Sequence, residues 1–231
     1  MGEIYLIRHG QASFGAADYD QLSSVGIEQA RQLGAWLAAG AQQFNRVVTG
    51  TLRRHIQTAE ACIEALGASF PSSEDPGFNE YDHRQMLLRY DPRLATPEAV
   101  RALIDVQPNA QRAFQELFAA AFARWVGGKY DAEYAESFAA FRERCLGALR
   151  RQVTAAARAE RLIVFTSGGP IAVIAQSLLG LPDDRVAALN FSLANAAVTT
   201  VFFGSSGLRL GTLNAFQYLE QADAERLVTY R

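Results

Sequence analysis

The stretch "LIRHGQAS", Leu6–Ser13, shows how this chain builds a sheet and where it places reactive groups. An apolar run stops abruptly at Arg8, His9 and Gly10. A short apolar and aromatic run ended by a glycine is typical of a buried strand, so the sequence predicts a strand over residues 3 to 8. His9 then lies at the carboxyl end of that strand.

The same arrangement recurs twice along the chain. "RVVT" at 46–49 predicts a strand before the helical stretch "TLRRHIQTAEACIEALG", and residues 162–166 predict another before Gly168 and Gly169. The tail "AAVTTVFFGSSGLRLGTLN" predicts two strands around a turn, while residues 84 to 160 show helical patterns only. We therefore expect one α/β domain over 1–231, a three-layer α/β/α sandwich with a mostly parallel sheet and a helical insertion at about 77–134.

Composition excludes several functional classes. A net charge of -2 and a pI near 6.0, with no basic block, argue against nucleic-acid or membrane-surface binding. Cys62 and Cys145 sit in helical patterns without metal-ligand spacing, which predicts buried thiols of a reducing compartment. The sequence shows neither a signal peptide nor an apolar run of about 20 residues, so we expect a cytoplasmic protein without a membrane span.

The ends of the predicted strands carry the candidate chemistry. Parallel sheets bind ligands at the carboxyl ends of their strands, where His9, Gly50 and Ser167 fall. Arg8 beside His9 and Arg54 in the first helical turn after residue 50 suit a phosphate, because guanidinium groups match its geometry and helix N-termini favour anions. These groups predict phosphoryl transfer to the imidazole of His9.

Each of these residues also has a plainer interpretation. A single histidine is more often a hydrogen-bonded core residue, and a helical arginine is more often solvated, which we expect for Arg53. The reaction also needs a proton donor for the leaving alcohol and a base for water. Glu80, in "FNEYD", is the best placed carboxylate and Asp82 is the next, although loop carboxylates are usually solvated.

The chain resembles the histidine phosphatase superfamily, of phosphoglycerate mutase-like fold, in five segments. These segments are "LIRHGQAS", "LSSVGIEQA", "TLRRHIQTA", "NEYD" and "VFTSGGPIA". The resemblance implies that His9 becomes phosphorylated, that Arg8 and Arg54 clamp the phosphate, and that Glu80 is the proton donor. It further implies that the insertion shapes substrate specificity and that the phosphate is also contacted by Gln11, Ser167 and Gly168.

The main departure from the family pattern lies at Ser167, where relatives have a second pocket histidine. A serine donates one neutral hydrogen bond, so by analogy with losing one oxyanion donor we expect a rate lower by roughly 10²–10³. Serine is also a common turn residue, which leaves a purely structural role open. The remaining histidines are His55, expected to point away from the pocket, and His83. Gly50 and Thr51 replace the more usual serine and proline, which predicts one lost hydroxyl contact.

The sequence therefore predicts a phosphatase acting on a small phosphorylated metabolite or a phosphoprotein, with no metal or organic cofactor implied. Two alternatives stay open: a catalytically impaired protein of the same fold that binds phosphate or a partner, and a mutase-type phosphotransferase. An apolar stripe around Phe118 is expected to be insertion core, although an apolar edge could also support a dimer.

Overall fold

The computed structural model describes residues 1–13, 20–157 and 159–230, and a mixed sheet of six strands runs through that part of the chain. In spatial order β3-β2-β4-β1-β5-β6, neighbouring strands are parallel from β3 to β1, and β5 and β6 are antiparallel additions. The strands are β1 (Gly2–Arg8), β2 (Arg46–Thr49), β3 (Ser72–Glu74), β4 (Arg161–Thr166), β5 (Val198–Gly204) and β6 (Gly207–Leu210).

Nine α-helices accompany this sheet within the described residues. They are α1 (Ser24–Ala39), α2 (Arg53–Leu66), α3 (His83–Tyr90), α4 (Pro97–Asp105), α5 (Ala110–Val126), α6 (Phe138–Ala155), α7 (Gly168–Leu179), α8 (Val186–Ser192) and α9 (Gln217–Leu227). Sequence signals set several of their ends. The Ser23 hydroxyl accepts from the Gly26 amide to cap α1, and α2 and α7 end at Gly67 and Gly180 in the left-handed conformation.

Helices cover both faces of the sheet, because successive residues of its central strands are buried on opposite sides. Tyr5 and Ile7 of β1 face a core shared with α1, α2 and α9, whereas Ile4 and Leu6 face a second core shared with α6 and α7. A third core, around Phe122, joins α3, α4 and α5 to α6 and α7. The chain is thus an α/β/α sandwich with a mostly parallel sheet, as predicted.

The predicted strands and the hairpin near the C-terminus are confirmed, and one strand, β3, and two helices, α8 and α9, were not predicted. Strand β3 consists of three exposed polar residues, so no apolar pattern announces it; its main chain pairs with β2. Helix α9 buries only Tyr218, Leu219 and Leu227, too few for a helical stripe in the sequence. The single-domain assignment and the 77–134 boundaries of the insertion stay predictions.

The prediction that both cysteines are buried thiols is confirmed. Cys62 and Cys145 are free and buried. Burial raises the pKa of the Cys62 thiol to about 12 and that of Cys145 further, so both are poor nucleophiles. Among the described helices, none combines the length and the apolarity that a membrane crossing requires.

Candidate active site

Three neighbouring strand ends form the floor of the site. Arg8 at the end of β1 pairs with Thr166 at the end of β4, and Thr49 of β2 pairs with Phe165. The His9 amide extends the hydrogen bonding between these strands by donating to the Thr166 carbonyl at 2.8 Å. The Gly50 amide likewise donates to the Phe165 carbonyl at 3.0 Å. The residues that follow each strand, His9, Ser167 and Gly50, therefore lie side by side.

His9 is buried and held in one orientation. Its Nδ1 lies 2.7 Å from the Gly10 carbonyl oxygen, an acceptor, so Nδ1 carries the proton and Nε2 carries the lone pair. Its own carbonyl accepts from Asn195 Nδ2 and the Ala196 amide, each at 3.2 Å. Burial, then the charges of Arg54 and Arg8, lower the pKa of His9 well below its usual value. The imidazole is therefore neutral, as a nucleophile must be.

Close contacts join His9 and Gly10 to the N-terminal ends of α1 and α2. A Cβ on Gly10 would lie 2.3 Å from the Gly26 carbonyl oxygen, and one on Gly26 would lie 2.2 Å from that of Gln11. The Gly10 amide donates to the Thr58 hydroxyl at 3.1 Å, and that hydroxyl donates to the Arg54 carbonyl at 2.6 Å. These contacts explain why small residues at 10 and 26 and a threonine at 58 accompany the histidine.

The two predicted clamp arginines are both buried. Arg8 donates from Nη1 to the Leu193 carbonyl, and Arg54 donates from Nη1 to Asp20 Oδ1 at 2.6 Å. Asp20 also accepts from the Arg53 amide at 2.8 Å, so one carboxylate holds the Arg54 guanidinium and caps α2. The Arg53 side chain is exposed, as expected for a solvated helix face.

Glu80 reaches the same site from the other side. Its carboxylate accepts from the amides of Gly169 and Tyr81, each at 3.2 Å. Burial raises the pKa of Glu80 above its usual value, although Arg54, these amides and Arg8 oppose that rise. A carboxyl with a raised pKa suits proton donation to a leaving group. Asp82, the second candidate, is exposed and instead caps α3 by accepting from the Gln85 amide at 3.0 Å.

Ser167 connects β4 to α7, and Gly168 is the first residue of α7. Ser167 is fully buried, and its hydroxyl makes no capping bond to α7. A Cβ on Gly168 would lie 2.3 Å from Asn190 Oδ1 and 3.5 Å from Arg8 Nε, so the glycine lets these two side chains approach the turn. Asn190 in turn donates to the Tyr81 hydroxyl at 3.2 Å.

The prediction that His55 points away from the pocket is wrong. His55 is fully buried, its Nε2 lies 2.6 Å from Ser167 Oγ, and its ring centroid lies 5.8 Å from that of His9. Burial, then the charge of Arg54, lower the pKa of His55 well below its usual value. The first turn of α2 packs directly on the strand ends, so two successive side chains, Arg54 and His55, both face inward.

Gln11 and His83 lie at the edge of this group. Gln11 is partly exposed, and its Oε1 accepts from the Ser23 hydroxyl at 2.9 Å, so a phosphate contact by its side chain stays a prediction. His83 begins α3, and burial and then the charge of Arg54 lower its pKa. The sequence reasoning missed two supporting residues, Asp20 and Asn190, because each is a polar residue that no local pattern distinguishes.

Comparison with known proteins places this geometry in a family. Residues 4–215 match the sequence profile of the histidine phosphatase superfamily, branch 1. The chain belongs to that superfamily. The matched range contains every segment from which the resemblance was inferred, and the recognition of this histidine phosphatase superfamily member from its sequence is confirmed.

Curated relatives of this superfamily member match only part of it. A 2,3-bisphosphoglycerate-dependent phosphoglycerate mutase from Methylorubrum populi is 30% identical over 87 residues, which cover 35% of this chain and 41% of the relative. The match therefore spans about two fifths of the relative's length. A match of this extent supports membership of the superfamily and does not assign the relative's activity to this chain.

Solved structures support the phosphoglycerate mutase-like fold of this superfamily member over nearly its full length. A phosphoserine phosphatase variant from Entamoeba histolytica, bound to phosphoserine, superposes with a TM-score of 0.65 at 17% identity, covering 95% of this chain and 100% of that one. The phosphoglycerate mutase from Bacillus anthracis superposes with a TM-score of 0.65 at 17% sequence identity, and the match covers 94% of each chain. The mycobacterial glucosyl-3-phosphoglycerate phosphatase superposes with a TM-score of 0.62 at 24% identity, covering 93% of this chain and 99% of that one.

Proposed function

We propose that this chain is a phosphatase that hydrolyses a phosphate monoester through a phosphoryl group carried on Nε2 of His9. The observation that supports this proposal most strongly is the state of His9. It is a neutral, buried imidazole whose Nδ1 is bound to the Gly10 carbonyl, which leaves the Nε2 lone pair as the nucleophile. Arg8 and Arg54 supply positive charge beside it, and Glu80 supplies an acid.

In the first step, Nε2 of His9 attacks phosphorus, and a P–N bond forms while the P–O bond to the alcohol breaks. Glu80 gives its proton to the alcohol oxygen as that bond breaks, so the alcohol leaves neutral. Arg8 and Arg54 hold the phosphoryl oxygens, whose negative charge the guanidinium groups stabilise throughout.

In the second step, water attacks the phosphorus of phospho-His9. The Glu80 carboxylate, now ionised, takes a proton from that water while the P–N bond breaks. Inorganic phosphate leaves, His9 is again neutral and Glu80 is again protonated, so the cycle closes without a net change in the enzyme.

The proposed substrate is a small phosphorylated metabolite or a phosphoprotein. The phosphoserine phosphatase from Entamoeba histolytica was solved with phosphoserine and with 3-phosphoglyceric acid, and both ligands are small phosphorylated acids. We favour hydrolysis over transfer between two hydroxyls because this sequence shows no additional groups for a bisphosphorylated sugar acid. A binding-only role was suggested by Ser167 in place of a histidine, but His55 brings an imidazole to the same part of the pocket.

The test is turnover of an aryl phosphate, followed by a panel of phosphorylated metabolites and phosphopeptides, with the native chain and with His9→Ala. If the chain is a phosphatase, the native chain should release phosphate. His9→Ala should release it at a rate at least about 10³-fold lower, since loss of the nucleophile leaves only binding and charge effects. Phosphate binding by the native chain without His9-dependent release across the panel would favour the binding role. Transfer to an added second alcohol without net release would favour the mutase.

A further inference from the structure

The hydrogen bond between His55 and Ser167 is a buried polar pair that the proposed reaction does not yet use. The two residues come from different elements, α2 and the turn after β4, and they approach to 2.6 Å between Nε2 and Oγ. Both side chains are fully buried. Ser167 lies beside His9 on the neighbouring strand end, so the pair borders the nucleophile.

Space for the His55 ring comes from Gly50, at the end of β2. A Cβ on residue 50 would lie 2.3 Å from His55 Nδ1 and 2.9 Å from Cε1 of the same ring. It would also lie 2.7 Å from Asn79 Oδ1, which is fixed by the Thr51 amide at 2.7 Å. The ring therefore occupies a slot that any other residue at position 50 would close.

The hydrogen-bond pattern selects one tautomer of His55. Among the described residues, no group forms a hydrogen bond with the buried Nδ1. A buried N–H without an acceptor is rarer than a buried acceptor without a donor, so the proton belongs on Nε2 and the lone pair on Nδ1. Nε2 then donates to Ser167 Oγ.

This direction of donation leaves the hydroxyl hydrogen of Ser167 available. Over residues 1–13, 20–157 and 159–230, Oγ of Ser167 has His55 as its one hydrogen-bond partner. A hydroxyl that accepts from an N–H becomes a better donor, because hydrogen bonds in a chain polarise one another. Its hydrogen can therefore point at a group bound beside His9.

We propose that His55 is a positioning residue of the phosphoryl site: it donates from Nε2 to Ser167 Oγ, which directs the Ser167 hydroxyl hydrogen at a phosphoryl oxygen of the bound ester. This inference rests on the proposed phosphatase function. In the family pattern a histidine occupies position 167; here the imidazole sits on α2 and acts through the serine. Without the hydrogen bond from His55, the hydroxyl hydrogen of Ser167 would have no fixed direction.

A double-mutant cycle on aryl phosphate turnover tests this coupling. Ser167→Ala removes the donor and is expected to lower kcat about 10²-fold, while His55→Ala lowers it about tenfold, each with a smaller change in KM. The double variant is expected to match Ser167→Ala, because His55 has no path to the phosphoryl group without the hydroxyl. A double variant that multiplies the two losses, to about 10³-fold, would overturn the proposal.

The conservative variant His55→Gln separates positioning from packing. Its amide N–H can reach Ser167 Oγ from nearly the position of Nε2, so kcat should return to within a few-fold of native even if the melting temperature stays low. Both variants leave part of the slot unfilled. A kcat for His55→Gln as low as that of His55→Ala would show that packing alone matters, which would overturn the proposal.

Tautomer assignment by ¹⁵N NMR of the imidazoles in the native protein, with and without inorganic phosphate, tests the same inference without any turnover. A proton on Nε2 of His55 is expected in both samples. A proton on Nδ1 would mean that Ser167 donates to His55, which would overturn the inference. If His9-dependent turnover is absent while the tautomer is as expected, the phosphatase proposal fails and the orientation of Ser167 stands, so the two failures are distinguishable.

Discussion

The Glu80 carboxylate lies against the backbone of Gly169, in space that a side chain at position 169 would occupy. Glu80 Oε2 accepts from the Gly169 amide at 3.2 Å, and a Cβ on residue 169 would lie 2.1 Å from Oε1. The glycine at the start of α7 thus admits the acid to the site. Gly168 likewise admits Asn190, so each of the two consecutive glycines makes room for a different side chain.

Replacing Glu80 by glutamine should slow the enzyme according to the leaving group. Glutamine keeps an oxygen acceptor but supplies no acidic proton, so kcat/KM for an alkyl phosphate should fall about 10²–10⁴-fold. The fall for p-nitrophenyl phosphate should be much smaller, because nitrophenolate leaves without being protonated. The measurement is kcat/KM for both esters with native and Glu80→Gln enzymes.

Asp82→Asn is the matched control for that experiment. It neutralises a neighbouring carboxylate that is exposed and caps α3, and asparagine caps equally well, so both kcat/KM values should stay within about twofold. An equal loss for both esters in Glu80→Gln would argue against Glu80 as the acid of the first step.

The adjacent arginines of α2 offer a comparison of a buried and an exposed cation. Arg54→Ala should lower kcat/KM at least about 10²-fold, since it removes a buried charge that would stabilise the phosphoryl oxygens. Arg53→Ala should change it less than about twofold and the unfolding free energy by about 0.5 kcal/mol or less, because that side chain is exposed. The measurement is kcat/KM of both variants by steady-state kinetics. Equal losses of kcat/KM in the two variants would contradict a role of Arg54 in binding the phosphoryl oxygens.

Acid should destabilise the fold through its histidines. The pKa values of His9, His55 and His83 are all lowered in the folded protein, so below the unfolded value of 6.5 the unfolded chain binds more protons and the unfolding free energy falls. Each histidine contributes a slope of up to about 1.4 kcal/mol per pH unit. The contribution of these neutral histidines to the unfolding free energy is fully present above about pH 6.5 and is lost as the pH falls below that value.

His55→Gln should remove one of these slopes. Urea unfolding at a series of pH values between about 5 and 7.5 should show a pH dependence that is shallower by up to about 1.4 kcal/mol per pH unit than that of the native chain. An unchanged slope would mean that His55 takes up protons equally in the folded and unfolded chains, which would contradict its lowered pKa in the folded protein.

The sequence revealed most of the sheet and the site because the relevant signals are local. Apolar runs ended by glycine identify β1, β2 and β4, and parallel pairing of these strands brings His9, Gly50 and Ser167 together without further information. The hairpin follows from its alternating pattern and its turn. Strand β3 escapes such reasoning because only the pairing of its main chain with β2 makes it a strand.

The placement of His55 depends on contacts that no local pattern records. Its inward orientation needs the empty slot at Gly50, five residues earlier, and a partner at Ser167, on another strand end. Gly50 and Ser167 are departures from the family pattern, and each taken alone predicts a lost contact. In the structure both lie against the His55 ring.

Trapping the covalent intermediate shows whether His9 carries the phosphoryl group. Native enzyme is mixed with an aryl phosphate, quenched in alkali during the first turnover, digested and mapped by mass spectrometry, with His9→Ala as the control. An acid-labile phosphoryl group is expected on the His9 imidazole of the native chain and none in the variant. Rapid turnover with the phosphoryl group on another side chain, such as an acid-stable ester of Ser167, would contradict the role of His9.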